Sequence, residues 1–171
     1  MASDVAGTPR LLLGGGDIAP VHEVNVEGHS PFLLTCDHYG RLLPTRLGNL
    51  GLSEQDLARH IAWDIGIAGV AERLAQLLDA HLIVQRYSRL VIDCNRPPSA
   101  TNSIPVISET TTIPGNEGLS PDAAGQRLRE IFDPYHRRIK AAIDRRLHAK
   151  RPAVLVALHS FTPVYAGEAR P

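Results

Sequence analysis

The stretch RYSRLVIDCNRPP, Arg86 to Pro98, sets a short apolar run between two groups of cationic and amide side chains. Leu90, Val91 and Ile92 read as a buried strand, because short apolar, β-branched runs bounded by turn signals suit that element. Pro97 and Pro98 stop it: proline supplies no backbone N–H and pushes the residue before it towards extended geometry. Asp93 to Arg96 are therefore expected on the way out of a sheet, at the edge where open α/β sheets bind ligands.

On the N-terminal side, Leu82, Ile83 and Val84 read as another strand, joined to the first as a hairpin or as one bent strand. Pro31 to Cys36 reads as a strand that delivers Asp37 and His38 to its C-terminal end, and Ala153 to Leu158 as one ending on His159 and Ser160. Ser53, with acids at Glu54 and Asp56, marks a helix start, where a capping hydroxyl and negative charge meet the positive end of the helix dipole. The apolar spacing from Leu57 through Ile61 and Ile65 to Leu78 predicts a helix from about Glu54 to Asp79. Residues 99–121, rich in Thr, Ser, Pro and Gly, read as a long loop. A second helix is expected from Pro121 through Ile131, Tyr135 and Ile139 to Leu147, kinked or broken at Pro134. This order predicts an α/β fold, a mixed, mostly parallel sheet flanked by helices.

At 171 residues, with 43% hydrophobic and 21% charged, the chain has the composition of one soluble domain. Residues 1–22 read as a flexible N-terminal segment and 23–171 as a single α/β domain. Lys plus Arg and Asp plus Glu balance at 18 each, so no global field attracts nucleic acid or an anionic membrane. No apolar run approaches the roughly 20 residues that span a bilayer, and no leader pattern is seen, so the cytoplasm is the expected location. Cys36 and Cys94 form no disulfide framework and read as buried side chains. A catalytic thiolate is the weaker reading.

The three apolar runs end in polar clusters, Cys36-Asp37-His38, Asp93-Cys94-Asn95-Arg96 and His159-Ser160, which parallel strands would bring to one edge. His38 and His159 are then placed as metal ligands, on rigid backbone beside loops that leave a coordination position open. The helix offers His60 or Asp64 as a third ligand, four residues apart on one face, or as a partner that orients a ligand. Arg86, Arg89 and Arg96 with Asn95 suggest a clamp for an anionic substrate, since guanidinium forks hold carboxylates bidentately. Salt bridges to Asp93, Asp64 or Glu109 are the structural alternative for each. Nucleophile-elbow, phosphate-loop and H-E-x-x-H motifs are absent.

The segments DHYGRLLP (37–44), HIAWDIG (60–66), YSRLVIDCNRPP (87–98), PYHRRI (134–139) and LVALHSFTP (155–163) together resemble the N-formylglutamate amidohydrolase family. The resemblance implies a fold related to the zinc carboxypeptidases, His38 and His159 as metal ligands, and Asn95 with Arg96 on a substrate carboxylate. It also implies Zn²⁺ or another divalent transition metal and hydrolysis of N-formylglutamate or a similar N-acyl amino acid. Arg86, Arg89 and Ser160 would assist at the substrate. Two departures matter. Arg41 stands where the peptidases carry a glutamate ligand, which leaves His60 first and Asp64 second for the middle position. Family members also run on beyond the His-Ser strand, where the peptidases take their catalytic base; Glu168 is the acid that follows His159 here. A truncated chain, with an incomplete sheet and Glu168 as its one candidate base, is therefore expected. The alternative function is an inactive module that binds acyl amino acids through the clamp. Oligomeric state is not readable.

Overall fold

The computed structural model describes residues 11–165 and 167–169. Its centre is a sheet in the order β1-β3-β2-β6, formed by Val21–Val24 (β1), Phe32–Cys36 (β2), His81–Gln85 (β3) and Val154–Ala157 (β6). β2 runs parallel to both β3 and β6, and β1 is antiparallel to β3, so the sheet is mixed and mostly parallel, as the sequence predicts.

Strand alternation builds the two faces. Leu33 and Ile83 point into one core with Ile131 and Tyr135; Leu34, Leu82 and Val84 point into the other with Ile67, Ala71 and Ala75. The first core is closed by Asp133–His148 (α4) and the turn before it, which follows Pro121–Arg127 (α3), and the second by Ile67–Leu77 (α2). β6 is an edge strand, like β1, and its Val154 and Leu155 remain exposed. No helix among the described residues is long and apolar enough to cross a membrane.

Several expectations are corrected. Residues 11–22 are packed rather than flexible: Leu12 is buried, the Leu12 and Leu13 N–H groups donate to the Glu130 carboxylate at 2.8 Å each, and β1 begins at Val21. Residues 1–10 of that segment lie outside the described residues. The helix expected over 54–79 is two helices, Glu54–Leu57 (α1) and α2, with turns between. The break is tertiary in origin, because the Ala62 carbonyl accepts from Arg89 N at 3.2 Å and Ser88 Oγ at 2.7 Å, and Asp64 N donates to the His38 carbonyl at 3.0 Å. Gly66, at φ 80°, then restarts the helix. The loop over 99–121 holds a small hairpin, Ile107–Ser108 (β4) with Thr111–Thr112 (β5). At Pro134 the chain keeps its helical path through one π-helical turn, Leu128–Phe132, so that the proline falls in the first turn of α4, where its missing N–H costs little.

The Leu90–Ile92 run is fully buried but is not a strand. Side chains satisfy its backbone in place of a neighbouring strand: Asn116 Nδ2 donates to the Leu90 carbonyl at 2.9 Å and Arg127 Nη1 to the Val91 carbonyl at 2.9 Å. Arg127 has no carboxylate partner among the described residues, and burial lowers its pKa to about 10. Gly40 fixes where this segment leaves the sheet. Its N–H donates to the Gln85 carbonyl at 3.1 Å, and a Cβ there would lie 1.9 Å from the Arg86 carbonyl oxygen. Gly40→Ala should therefore destabilise the fold by about 1–3 kcal/mol or more, seen as a lower urea midpoint. An unchanged midpoint would mean that the two backbones separate freely.

Candidate metal centre and substrate cleft

The sheet register assembles the site. Thr35 lies opposite Ala157 on β6, so the residues that follow, His38 and His159, emerge side by side with ring centroids 5.2 Å apart. The backbone bond from Asp64 N to the His38 carbonyl brings in the third group. His38, Asp64 and His159 offer ligand atoms that all lie within 4.8 Å of one another.

Both imidazoles turn the same nitrogen to Asp64. His38 Nδ1 is 3.4 Å from Asp64 Oδ1 and His159 Nδ1 is 3.0 Å from Asp64 Oδ2. Behind them the Nε2 atoms face other carboxylates, Asp93 at 2.8 Å from His38 and Asp37 at 3.6 Å from His159. Asp37 is held in turn by the buried Tyr135 hydroxyl, which donates at 2.6 Å. A carboxylate behind an imidazole fixes its tautomer and leaves the opposite nitrogen as a lone-pair donor. His38 Nδ1 is buried and has no hydrogen-bond partner among the described residues. A buried, unsatisfied ring nitrogen beside a carboxylate and a second imidazole fits a transition-metal ligand set.

The charges are balanced locally. Arg89 joins Asp64 at 3.4 Å and Asp93 at 2.9 Å. Burial pushes the Asp64 carboxyl up, but His159, His38 and Arg89 outweigh it and hold its pKa well below the usual carboxylate range. Asp93 is treated alike: burial is opposed by His38, Arg89 and the Asn95 N–H, and its pKa falls to about 2. Burial works against protonation of His38, yet Asp64 and Asp93 draw its pKa upward.

A cleft of about 360 Å³ opens over this group, lined by His38, His159, Arg89, Asn95, Arg96 and Ser160 among others. Asn95 and Arg96 are exposed, and Arg96 has no ion-pair partner among the described residues. The Ser160 N–H donates to Asp64 at 3.3 Å and its hydroxyl to the Ile65 carbonyl at 2.8 Å. Arg86 lies elsewhere, donating to the Ala19 carbonyl at 3.4 Å. His60 also lines the cleft but stands outside the ligand group, with Nε2 3.0 Å from Glu109 Oε1. Arg41 packs its guanidinium over the Trp63 ring at 5.4 Å. Glu168 belongs to an exposed hairpin, Val164–Tyr165 (β7) with Glu168–Ala169 (β8), and does not line the cleft.

Sequence reasoning placed the two histidines together and kept Asp64 in view, but it gave Asp37 and Tyr135 no role and Glu109 only that of a salt-bridge partner. The signal for Tyr135 was a hydroxyl on the buried face of a helix, which must find a partner. The cysteine reading loses its footing: both thiols are buried, and burial pushes the pKa of each up to about 12. Native protein at pH 8 should resist iodoacetamide at Cys36 and Cys94, and unfolded protein should take two labels. Rapid labelling of the native thiols, read by mass spectrometry, would contradict this burial.

Comparison with known proteins agrees with this architecture. The family model described as N-formylglutamate amidohydrolase matches residues 30–171. The crystal structure of a gene product from Agrobacterium tumefaciens is 40% identical, with TM-score 0.91, over 93% of this chain and 63% of that one. The N-formylglutamate amidohydrolase of Ralstonia eutropha JMP134 shares the fold at TM-score 0.61 and 19% identity, over 84% of this chain and 58% of that one. The chain thus spans under two thirds of the length of either. A search of curated proteins gives no significant match. With the family model covering three of the four sheet strands and the cleft above them, the chain belongs to the N-formylglutamate amidohydrolase family.

Proposed function

We propose that this chain hydrolyses the amide bond of N-formyl-L-glutamate or a similar N-acyl amino acid, releasing formate or the corresponding acid and the free amino acid. The observation that carries this reading is the pair of Nδ1 atoms facing Asp64 at the foot of a cleft whose rim holds Asn95 and an exposed Arg96. His38, Asp64 and His159 would hold Zn²⁺ or another divalent transition metal. When bound, such an ion supplies Lewis acidity at a carbonyl oxygen and lowers the pKa of water from 15.7 to about 7.

The chain's own residues supply the rest. Asp93 and Asp37 keep the His38 and His159 Nε2 atoms occupied, so neither ring turns away from Asp64. Arg96 meets a substrate carboxylate through its guanidinium fork, and Asn95 adds an amide donor. Arg89 is committed to Asp64 and Asp93 and therefore acts on the site rather than on the substrate. Two free, buried thiols suit a reducing compartment, which supports the cytoplasm as the place of reaction.

Purified protein should carry about one transition-metal ion per chain, as a three-ligand site implies, and His159→Ala should strip it; full metal retention would reject the ligand assignment. Arg96→Ala should raise KM for N-formylglutamate far more than for an N-formyl amine without carboxylates. Equal effects on the two would remove Arg96 from the clamp. Binding of the acyl amino acid without any product would instead select the inactive binding module.

A further inference from the structure

Amide hydrolysis needs a proton on the leaving nitrogen, because an amide anion does not depart from carbon at neutral pH. In the main cleft, His38 and His159 belong to the proposed ligand group, and the Arg89, Asn95, Arg96 and Ser160 side chains are poor proton acceptors. His60 is the remaining imidazole on the cleft wall. It lines both the main cleft and an adjoining pocket of about 200 Å³ that reaches Asn102 and Glu109.

The surroundings of His60 are built. Its Nε2 is closed off from solvent and lies 3.0 Å from Glu109 Oε1, a charge contact rather than an aligned hydrogen bond. Such contacts commonly tighten when substrate binds. Glu109 is 10% exposed and is gripped from the other side by Arg59, whose Nη2 donates to Oε2 at 2.9 Å and whose Nη1 donates to Thr111 Oγ1 at 2.8 Å. It occupies the first position of the two-residue turn between β4 and β5 with φ 53°, where glycine is the unstrained choice. A largely covered carboxylate held in a strained turn and directed at an imidazole on a cleft wall is the kind of outlier that points to function.

We infer that His60 is the proton carrier of this site and that Glu109 is its positioning residue, an assignment that rests on the amide-hydrolase reading above. As the water oxygen bonds to the acyl carbon, the carbonyl π pair moves onto the carbonyl oxygen and one water proton passes to neutral His60. The carbonyl then re-forms and the C–N bond breaks with its electron pair on nitrogen, which takes the proton back from the His60 imidazolium. The products are a carboxylic acid and an amine; His60 ends neutral and no further reactant is consumed. Glu109 fixes the ring and stabilises its transient positive charge, while Arg59 holds Glu109 in place.

The test uses the zinc-loaded full chain beside His60→Ala, His60→Gln and Glu109→Gln, with metal content, calorimetric binding of N-formylglutamate and hydrolysis measured on each. Both His60 variants should keep their metal and bind substrate as the wild type does, while kcat falls by about 10²- to 10⁴-fold. Added imidazole should restore part of the activity of His60→Ala. Glu109→Gln should lower kcat with KM little changed. Loss of metal from both His60 variants, undiminished hydrolysis, or no rescue by imidazole would overturn the assignment. A wild-type chain that holds metal and ligand yet releases no amine would overturn the amide-hydrolase reading with it, whereas an active wild type beside an equally active His60→Ala overturns this inference alone.

Discussion

The Asp64 carboxylate is the joint on which the rest of this site depends. One oxygen faces His38 and Arg89, the other His159 and the Ser160 N–H, and its own backbone N–H is spent on the His38 carbonyl. Three separate parts of the chain, the end of β2, the turns before α2 and the end of β6, are thereby tied at one point. A charge so buried is tolerated only because it is surrounded by cationic and N–H groups. Without the carboxylate, two imidazoles and a guanidinium would be left with Asp93 and Asp37 alone to balance them.

The sheet was legible because its signal is strong: short apolar runs, each ending in polar residues, with parallel pairing forced by the intervening helix. That reasoning brought His38 and His159 to one edge. It failed where tertiary hydrogen bonds override local periodicity. Leu57, Ile61 and Ile65 fall at helical spacing, yet the Ala62 carbonyl and the Asp64 N–H are taken by Ser88, Arg89 and His38, so the helix stops after Leu57 and resumes at Ile67. His60 and Asp64 therefore share no helical face. The turns separate the two, sending Asp64 to the histidine pair and His60 to Glu109.

The Arg86–Pro98 stretch shows the same override. Its apolar centre is buried as expected, but Asn116 and Arg127, from the region read as loop and from α3, supply the hydrogen bonds a neighbouring strand would have given. Side-chain satisfaction of a buried backbone leaves no period in the sequence. The consequence is functional: freed from the sheet, the segment turns Asp93 back onto His38 and leaves Asn95 and Arg96 at the cleft rim. One stretch thus orients a candidate ligand and carries the residues that would meet the substrate.

In the proposed site the ligands are two imidazoles and the Asp64 carboxylate, and His60 is left for proton transfer. X-ray absorption spectroscopy of the zinc-loaded chain reads that ligand set. Two imidazole nitrogens and at least one carboxylate oxygen are expected at about 2.0–2.2 Å. A third imidazole in that shell, lost on substitution of His60, would contradict that set.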